Sequence, residues 1–198
     1  MKNKLFTLHN MAKIAILTAI SAIVMLFEFP LPFAPSFYEL DLSEAVILMG
    51  GFAMGPLAAA IMELLKNLLN LLLNGTITAG VGELANFVMG CALVVPASLI
   101  YKYRKTLKGA IIGLVTGTLS LVVIGCIMNY FVMIPAYVAL AHFPLEAILS
   151  MGAEANGMVN SLGTLVLFAV APFNLVKGVA CSLINLLLYK RLSKILHI

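Results

Sequence analysis

The sequence predicts an all-α integral membrane protein built as a six-helix bundle. Of its 198 residues, 63% are hydrophobic and only 10% are charged, whereas a soluble globular chain carries about 25% charged residues. Backbone polar groups must pair internally in lipid, so only helices and closed barrels span a bilayer. The long apolar stretches, such as 110–127 and 162–176, favour helices, because barrel strands alternate apolar and polar residues.

Breaks in the apolar stretches, mostly at Pro and Gly, define the predicted helices. The second helix is shorter than the about 20 residues that a span needs, so we expect it to be tilted or only partly inserted. No linker interrupts the chain, and residues 1–198 are therefore expected to form a single transmembrane domain. The six predicted helices cover residues 10–29, 43–53, 56–74, 83–103, 107–140 and 157–194.

Most basic residues lie in three places, which all fall on one side of the membrane if the chain has six spans. The positive-inside rule makes that side cytoplasmic, so we expect both termini in the cytoplasm and the acidic residues on or near the outer side. Basic residues that flank spans form no groove for a nucleic acid. The basic residues are Lys2, Lys4, Lys13, Lys102, Arg104, Lys105, Lys108, Lys190, Arg191 and Lys194; the acidic ones are Glu39, Asp41, Glu44, Glu83, Glu146 and Glu154.

Two lysines lie inside predicted spans, where a charge is costly and usually faces a bundle interior or a wet cavity. Lys66 follows Glu63 by three residues, so the two side chains can share a helix face. Lys177 likewise follows Asn174 by three residues. Interhelical hydrogen bonding would explain any one of these residues, but polar groups on three helices predict one polar cavity. Its other members would be Asn67, Asn129 and Tyr130.

Two predicted outer segments are candidates for a lid and a gate over this cavity. Segment 29–41 is rich in Pro and aromatic residues and acidic at its end, and segment 74–82 is rich in Gly and Thr. Pro restricts the conformations of a free chain, so such a segment loses less entropy when it becomes ordered. The alternative is that both are ordinary turn-rich connections.

Motifs for catalysis or metal binding are missing from the sequence. It has no GxxxxGK[ST] phosphate-binding loop, no HExxH pair and no CxxC pair, so ATP hydrolysis by that loop and zinc-protease chemistry are excluded. Cys91, Cys126 and Cys181 each lie in a predicted helix, where we expect buried free thiols. We predict no catalytic residue, no metal and no enzyme activity.

Seven short segments, taken in order, resemble the S-components of energy-coupling factor (ECF) vitamin transporters, and among them the riboflavin-binding type. The sequence departs from the family pattern in loop 75–83 and at Glu39, where a smaller polar residue would also suit the family. The segments are FPLPF at 29–33, LDLSE at 40–44, GFAMGP at 51–56, ELLKNLLN at 63–70, ANF at 85–87, NYF at 129–131 and PFNLVKG at 172–178.

This resemblance implies a substrate-binding subunit in the plasma membrane of a prokaryote. Such a subunit captures riboflavin from outside and delivers it for ATP-driven uptake through a separate transmembrane T subunit and two ATPase subunits. Riboflavin is then the transported substrate and not a cofactor. The family's docking motif of small residues matches Ala15 and Ala19, whose spacing of four lets helices approach closely. Packing within the protein's own bundle is the alternative.

The resemblance also implies which residues bind the vitamin. Asn129, Asn174 and Lys177 would read the imide edge of the flavin, because Asn offers a donor and an acceptor while Lys donates. Aromatic rings would cover its faces, and an acidic mouth predicts preference for riboflavin over its phosphate, FMN. The predicted substrate-binding residues are Phe37, Glu39, Asp41, Lys66, Asn67, Gly82, Ala85, Asn86, Asn129, Tyr130, Asn174 and Lys177.

Other functions remain open at this stage. An S-component for another vitamin would share the architecture, because the pocket and not the fold sets the ligand. An intramembrane enzyme needs a catalytic constellation that the sequence lacks, and a scaffold would leave Lys177 and Asn174 idle. We expect Lys177→Met to weaken flavin binding without unfolding the protein, because the charge at membrane depth is otherwise costly.

Overall fold

The computed structural model describes residues 4–76 and 78–196, and the side chains of residues 5–76 and 78–189. In this part of the chain it is a helical bundle with a short antiparallel hairpin, which confirms the predicted all-α class. The helices are α1 (Leu8–Met25), α2 (Ser43–Met54), α3 (Pro56–Asn74), α4 (Val81–Tyr103), α5 (Leu107–Met128), α6 (Ile134–Leu140), α7 (Leu145–Ala155), α8 (Leu162–Leu165) and α9 (Ala171–Leu196), and the hairpin strands are β1 (Phe29–Pro30) and β2 (Glu39–Leu40).

Two long helices each contain one π-helical turn. The turn Asn129–Met133 joins α5 to α6, and the turn Val166–Val170 joins α8 to α9. The helix that contains the turn Asn129–Met133 is continuous over Leu107–Leu140, which confirms the predicted helix 107–140. Such single π turns occur often at functional sites, and both of these lie close to the two asparagines predicted to bind a ligand.

By length and composition, five helices of the described chain can cross a membrane, and α2 is shorter. Its 12 residues extend about 18 Å, less than the about 30 Å of the hydrocarbon core. It packs against α1, α3, α4 and α9, and nine of its 12 residues are buried. The described part of the chain therefore runs six times between the ends of the bundle, and the short α2 is one of these passages. How many of them span the membrane stays a prediction.

Several predicted helix bounds were wrong. The first helix ends at Met25 and not at 29, because Pro30 lacks an N–H and disfavours helical geometry in the residue before it. The last long helix starts at Leu162 and not at 157. Its start is fixed by a capping box, in which the Ser161 hydroxyl accepts the Thr164 N–H. Helix α4 starts two residues earlier than expected, after Gly80 with φ of 86°. Helix α7 was missed entirely.

The basic segments lie together at one end of the bundle. The Tyr101 hydroxyl near the end of α4 is 3.1 Å from the Tyr189 hydroxyl of α9, and Lys102 lies beside the α2–α3 turn at Gly55. The hairpin and the start of α2 lie at the other end, where the Ser21 hydroxyl donates to the Ser43 carbonyl over 3.0 Å. Lys2 lies outside the described residues. This distribution agrees with the predicted orientation, although the side of the membrane stays a prediction.

Candidate functional site

Five buried charged side chains form a network centred on Glu44. Lys66 Nζ lies 3.1 Å from Glu44 Oε1 and 2.9 Å from Glu63 Oε2, and Lys177 Nζ lies 3.1 Å from the same Glu44 oxygen and 2.9 Å from Asp41 Oδ2. The pairing of Glu63 with Lys66 confirms that they share a helix face. The two lysines, predicted from separate helices, thus meet at one carboxylate. We call Asp41, Glu44, Glu63, Lys66 and Lys177 the charge network.

Ser43 fixes the network at the start of α2. Its N–H donates to Asp41 Oδ1 over 2.8 Å, its hydroxyl donates to the same oxygen, and Lys66 Nζ donates to that hydroxyl over 3.0 Å. Asp41 and Glu44 lie at the positive end of the α2 dipole, which favours negative charge. Burial alone would raise the pKa of Asp41, but the Lys177 and Lys66 charges and the hydrogen bonds lower that pKa below its ordinary value.

The charge network holds three carboxylates and two ammonium groups, so full ionisation leaves a formal charge of 2 − 3 = −1. Glu44 Oε2 and both Glu63 oxygens are buried without a hydrogen bond. The 2.9 Å approach of Lys66 to Glu63 is therefore an ion pair by distance, without hydrogen-bond geometry. An uncompensated buried charge is strongly unfavourable. Because neither oxygen of Glu63 accepts a hydrogen bond, neutralising Glu63 should cost the network less than neutralising Asp41 or Glu44.

Two buried asparagines, Asn129 and Asn174, both lie beside Gly125, where α5 packs against α9. We call them the amide pair. Asn129 Nδ2 donates to the Gly125 carbonyl over 2.9 Å, and Asn174 Nδ2 donates to the Val170 carbonyl over 3.0 Å. A Cβ at Gly125 would lie 2.5 Å from Asn174 Nδ2, so glycine is what lets the helices approach. Each NH₂ uses one of its two N–H groups to bond its own helix, so each amide keeps a second N–H as well as its oxygen. That the asparagines offer both a donor and an acceptor to a ligand stays a prediction.

Aromatic side chains cover this amide pair. The ring of Tyr38 lies 4.6 Å from that of Phe37 and 5.5 Å from that of Phe173, and Phe37 lies 6.2 Å from Tyr137, measured between ring centroids. The Tyr38 hydroxyl donates to Asn129 Oδ1 over 2.7 Å, and burial raises the pKa of Tyr38. We call Phe37, Tyr38, Tyr137 and Phe173 the aromatic cover. Segment 29–41, predicted as a lid, supplies two of its rings.

Two of the predicted residues lie away from this centre. Tyr130 is 41% exposed and packs edge-on against Phe131, with ring centroids 4.8 Å apart, so it lies on the outer surface of the bundle. Glu39 is exposed in β2, where it pairs with Pro30. Among the described residues, neither side chain makes a hydrogen bond or a ring contact with Asn129 or Asn174.

The remaining predicted residues lie around the centre. Asn67 is buried and donates to the Glu63 carbonyl over 2.8 Å, while its Oδ1 has no hydrogen-bond partner. Gly82, Ala85 and Asn86 are half-buried in the first turns of α4. A Cβ at Gly82 would lie 3.6 Å from the Tyr137 hydroxyl, which brings this turn to the edge of the aromatic cover.

The segment predicted as a gate is tied down by side-chain hydrogen bonds. The Thr76 hydroxyl donates to Glu83 Oε2 over 3.1 Å and accepts from the Gly80 N–H over 3.1 Å, and the Thr78 hydroxyl accepts from the Gly82 N–H over 3.0 Å. Ile77 lies outside the described residues. These bonds hold the segment against the start of α4, and its role as a gate stays a prediction.

Ala15 and Ala19 lie on the exposed face of α1, together with Ile16 and Ile20. The opposite face, with Ile14, Thr18 and Ser21, is buried. The two alanines are therefore not packed inside the protein's own bundle, which removes the alternative explanation for their spacing.

The cysteine prediction is only partly confirmed. All three thiols are free, but only Cys181 is buried, whereas Cys91 and Cys126 are half-buried, so the expectation of three buried thiols was wrong for two. Within residues 4–76 and 78–196, no group of three His, Cys, Asp or Glu residues is arranged to hold a metal ion.

Glu44 and Tyr38 are the important residues that the sequence reasoning missed. Glu44 was assigned to the acidic outer side, yet it is fully buried. Its sequence signal was an acidic residue three positions after Asp41 in an otherwise apolar helix, since such a residue must be paired when buried. Tyr38 gave no separate signal, because aromatic residues in a Pro-rich loop are equally suited to the surface.

Together these features define a class of protein: a membrane bundle with two amide acceptors and a buried lysine beneath an aromatic cover near one end, suited to binding a flat solute. The family model described as "ECF transporter, substrate-specific component" matches residues 9–189. The chain therefore belongs to the substrate-specific components of ECF transporters. This membership confirms the predicted transport component rather than an enzyme, and the predicted multi-pass protein of a prokaryotic plasma membrane.

Individual relatives agree with this assignment. The chain is 35% identical over 183 residues to a protein of Staphylococcus aureus (strain TCH60) named riboflavin transporter RibU, covering 92% of this chain and 89% of the relative. It is 29% identical over 181 residues to the riboflavin transporter FmnP of Bacillus subtilis (strain 168), covering 91% and 90%. A solved S component of a bacterial ECF transporter matches with a TM-score of 0.74 and 33% identity, over 94% of this chain and 96% of that chain.

Proposed function

We propose that this chain is a riboflavin-binding S-component that captures the vitamin outside the cell and delivers it for uptake. The observation that carries the proposal is the pair of acceptor oxygens on Asn129 and Asn174, with the Lys177 ammonium group one helical turn beyond Asn174. The names of the relatives support the choice of riboflavin.

The chemistry of riboflavin fits these groups. The imide edge of its ring has one N–H between two carbonyls, so an amide oxygen can accept the N–H while an ammonium group donates to a carbonyl. The flat ring can stack against the phenylalanine rings of the aromatic cover, Phe37 and Phe173, because offset aromatic rings attract one another. Riboflavin is uncharged, so it adds no charge to a site that already holds the charge network.

The twelve residues predicted from the sequence then divide by role. We propose that Phe37, Asn129, Asn174 and Lys177 contact the ring, and that Asp41 holds Lys177. The start of α4, with Gly82, Ala85 and Asn86, and the exposed Glu39 are proposed to line the side where the ribityl chain enters. Lys66 and Asn67 act through Glu44 and Glu63, and Tyr130 is left out because it lies on the outer surface.

The proposal is tested by the ligand that purified protein retains. We expect protein from ordinary cells to be yellow, and mass spectrometry of the released ligand to identify riboflavin. Asn129→Ala and Asn174→Ala should each weaken riboflavin binding about two- to tenfold, the worth of one neutral hydrogen bond. Asn74→Ala, on the exposed end of α3, is the matched control. Tight binding of a different vitamin in place of riboflavin would support the alternative S-component.

Riboflavin should bind more tightly than FMN, and the difference should grow with pH. Burial and the charges of Glu39 and Asp41 raise the pKa of Glu28, just beyond α1, to about 7. Glu28 is therefore mostly neutral at about pH 6 and charged at about pH 8, where it repels a phosphate whose own second pKa is about 6. Titrations of purified protein with both ligands at the two pH values measure the ratio of affinities.

Glu28→Gln is the control for this pH dependence. In this variant, the rise in the FMN-to-riboflavin Kd ratio between the two pH values should be about two- to fivefold smaller than in wild type, the usual size of a partly screened charge interaction. Riboflavin affinity should not change. Equal affinities for FMN and riboflavin at both pH values would contradict the acidic-mouth prediction.

We also propose that the exposed face of α1 docks on the transmembrane T subunit, which works with two ATPase subunits. Small residues four apart permit close helix approach, and Ala15 and Ala19 face outward. We expect the double variant Ala15→Leu/Ala19→Leu to lose most riboflavin uptake while its riboflavin affinity stays unchanged. Ile20→Leu, which keeps the side-chain volume on the same face, should transport normally. Full uptake by the double variant would place the docking surface elsewhere.

Six spans with both termini in the cytoplasm complete the proposal. The gathering of the basic segments at one end supports it, and the hairpin with the site then faces outward.

A further inference from the structure

The hydroxyl of Tyr38 is bound to the atom that would read the flavin. It donates to Asn129 Oδ1 over 2.7 Å, within the normal range for an O–H···O bond. The Asn129 NH₂ is held by the Gly125 carbonyl, so the amide cannot turn to offer its other side without losing that bond. Tyr38 therefore occupies one of the two lone pairs of Asn129 Oδ1, and a ligand N–H that approaches from the same side must displace it.

The ring of Tyr38 resembles the ligand in shape as well as in polarity. It is a flat aromatic ring with a donor at its edge, packed 5.5 Å from Phe173, the residue directly before Asn174. We infer that Tyr38 is an internal competitor: its side chain occupies the ring-binding position over the amide pair and must leave when riboflavin binds. This inference rests on the proposed function of Asn129.

Such a competitor has a defined effect on affinity. Binding is reduced by the fraction of molecules in which the competing group is in place. Removing the hydroxyl leaves the ring but deletes its bond to Asn129, so the position over the amide pair is vacated more easily. In the ligand-free protein, the Tyr38 hydroxyl also gives the buried Asn129 oxygen a hydrogen-bond donor, and an unpaired buried acceptor is costly. The competitor therefore lowers by the same factor the affinity of every ligand that must take its place.

Tyr38→Phe in the full-length protein is the test. We expect it to bind riboflavin about two- to tenfold more tightly than wild type and to associate faster, because one neutral hydrogen bond no longer competes. N3-methylated riboflavin, which lacks the imide N–H, should gain by the same factor. Tyr103→Phe, at the exposed end of α4 and outside the site, should change riboflavin affinity less than about twofold.

A double-mutant cycle with Asn129→Ala identifies the bond responsible. If the competition is for Asn129 Oδ1, Tyr38→Phe has no further effect once Asn129 is alanine. Weaker riboflavin binding by Tyr38→Phe overturns the inference and makes the hydroxyl a direct contact of the bound flavin; unchanged affinity overturns it as well. If the wild-type protein did not bind riboflavin at all, this result would instead contradict the proposed function.

Discussion

Lys66→Met should lower the free energy of unfolding by about 3–5 kcal/mol, because it removes one partner of a buried ion pair. Lys66 is fully buried, with Glu44 Oε1 at 3.1 Å, Glu63 Oε2 at 2.9 Å and the Ser43 hydroxyl at 3.0 Å. Methionine fills much of the same space but leaves three carboxylates opposite the single ammonium group of Lys177. The chain has no Trp, so unfolding in detergent is followed by circular dichroism.

Glu63→Gln is the matched control for Lys66→Met. It keeps the shape of the side chain and changes the formal charge of the network from −1 to zero. We therefore expect it to change stability by less than about 1 kcal/mol, or to increase it. If Glu63→Gln were as harmful as Lys66→Met, the network would depend on the position of each group and not on its balance of charge.

Lys177→Met should weaken riboflavin binding about 10- to 150-fold, which corresponds to the about 1.5–3 kcal/mol of a hydrogen bond from a charged group. It should also destabilise the fold, which corrects the expectation drawn from the sequence. Lys177 Nζ lies 2.9 Å from Asp41 Oδ2 and 3.1 Å from Glu44 Oε1, so its removal leaves both carboxylates without that partner.

The double variant Lys177→Met/Asp41→Asn separates binding from folding. It returns the formal charge of the network to its value in the wild type, so the melting temperature should recover at least partly. Riboflavin affinity should stay low, because no ammonium group remains beside Asn174. Recovery of affinity in the double variant would show that Lys177 serves only to neutralise Asp41.

The sequence by itself determined the class of structure and the helices with strong boundary signals. Continuous apolar stretches must become helices in lipid, and Pro56 at the start and Asn74-Gly75 at the end gave the bounds of α3 as the structure has them. The cost of a charge inside a span singled out Lys66 and Lys177 before any contact was known. Helix α7 was not predictable in this way, because it is short and lies outside the long apolar stretches.

Only the tertiary structure decided which partner each polar group has. Helix periodicity gives the face of Asn129 but not the direction of its amide, which depends on the Gly125 carbonyl. Sequence spacing pairs Glu63 with Lys66, yet nothing local brings Lys177 to Glu44 from 133 residues away (177 − 44). Tyr38 likewise reaches Asn129 across 91 residues. Such contacts arise from the packing of helices distant in sequence, and a buried charge or amide takes whichever partner that packing supplies.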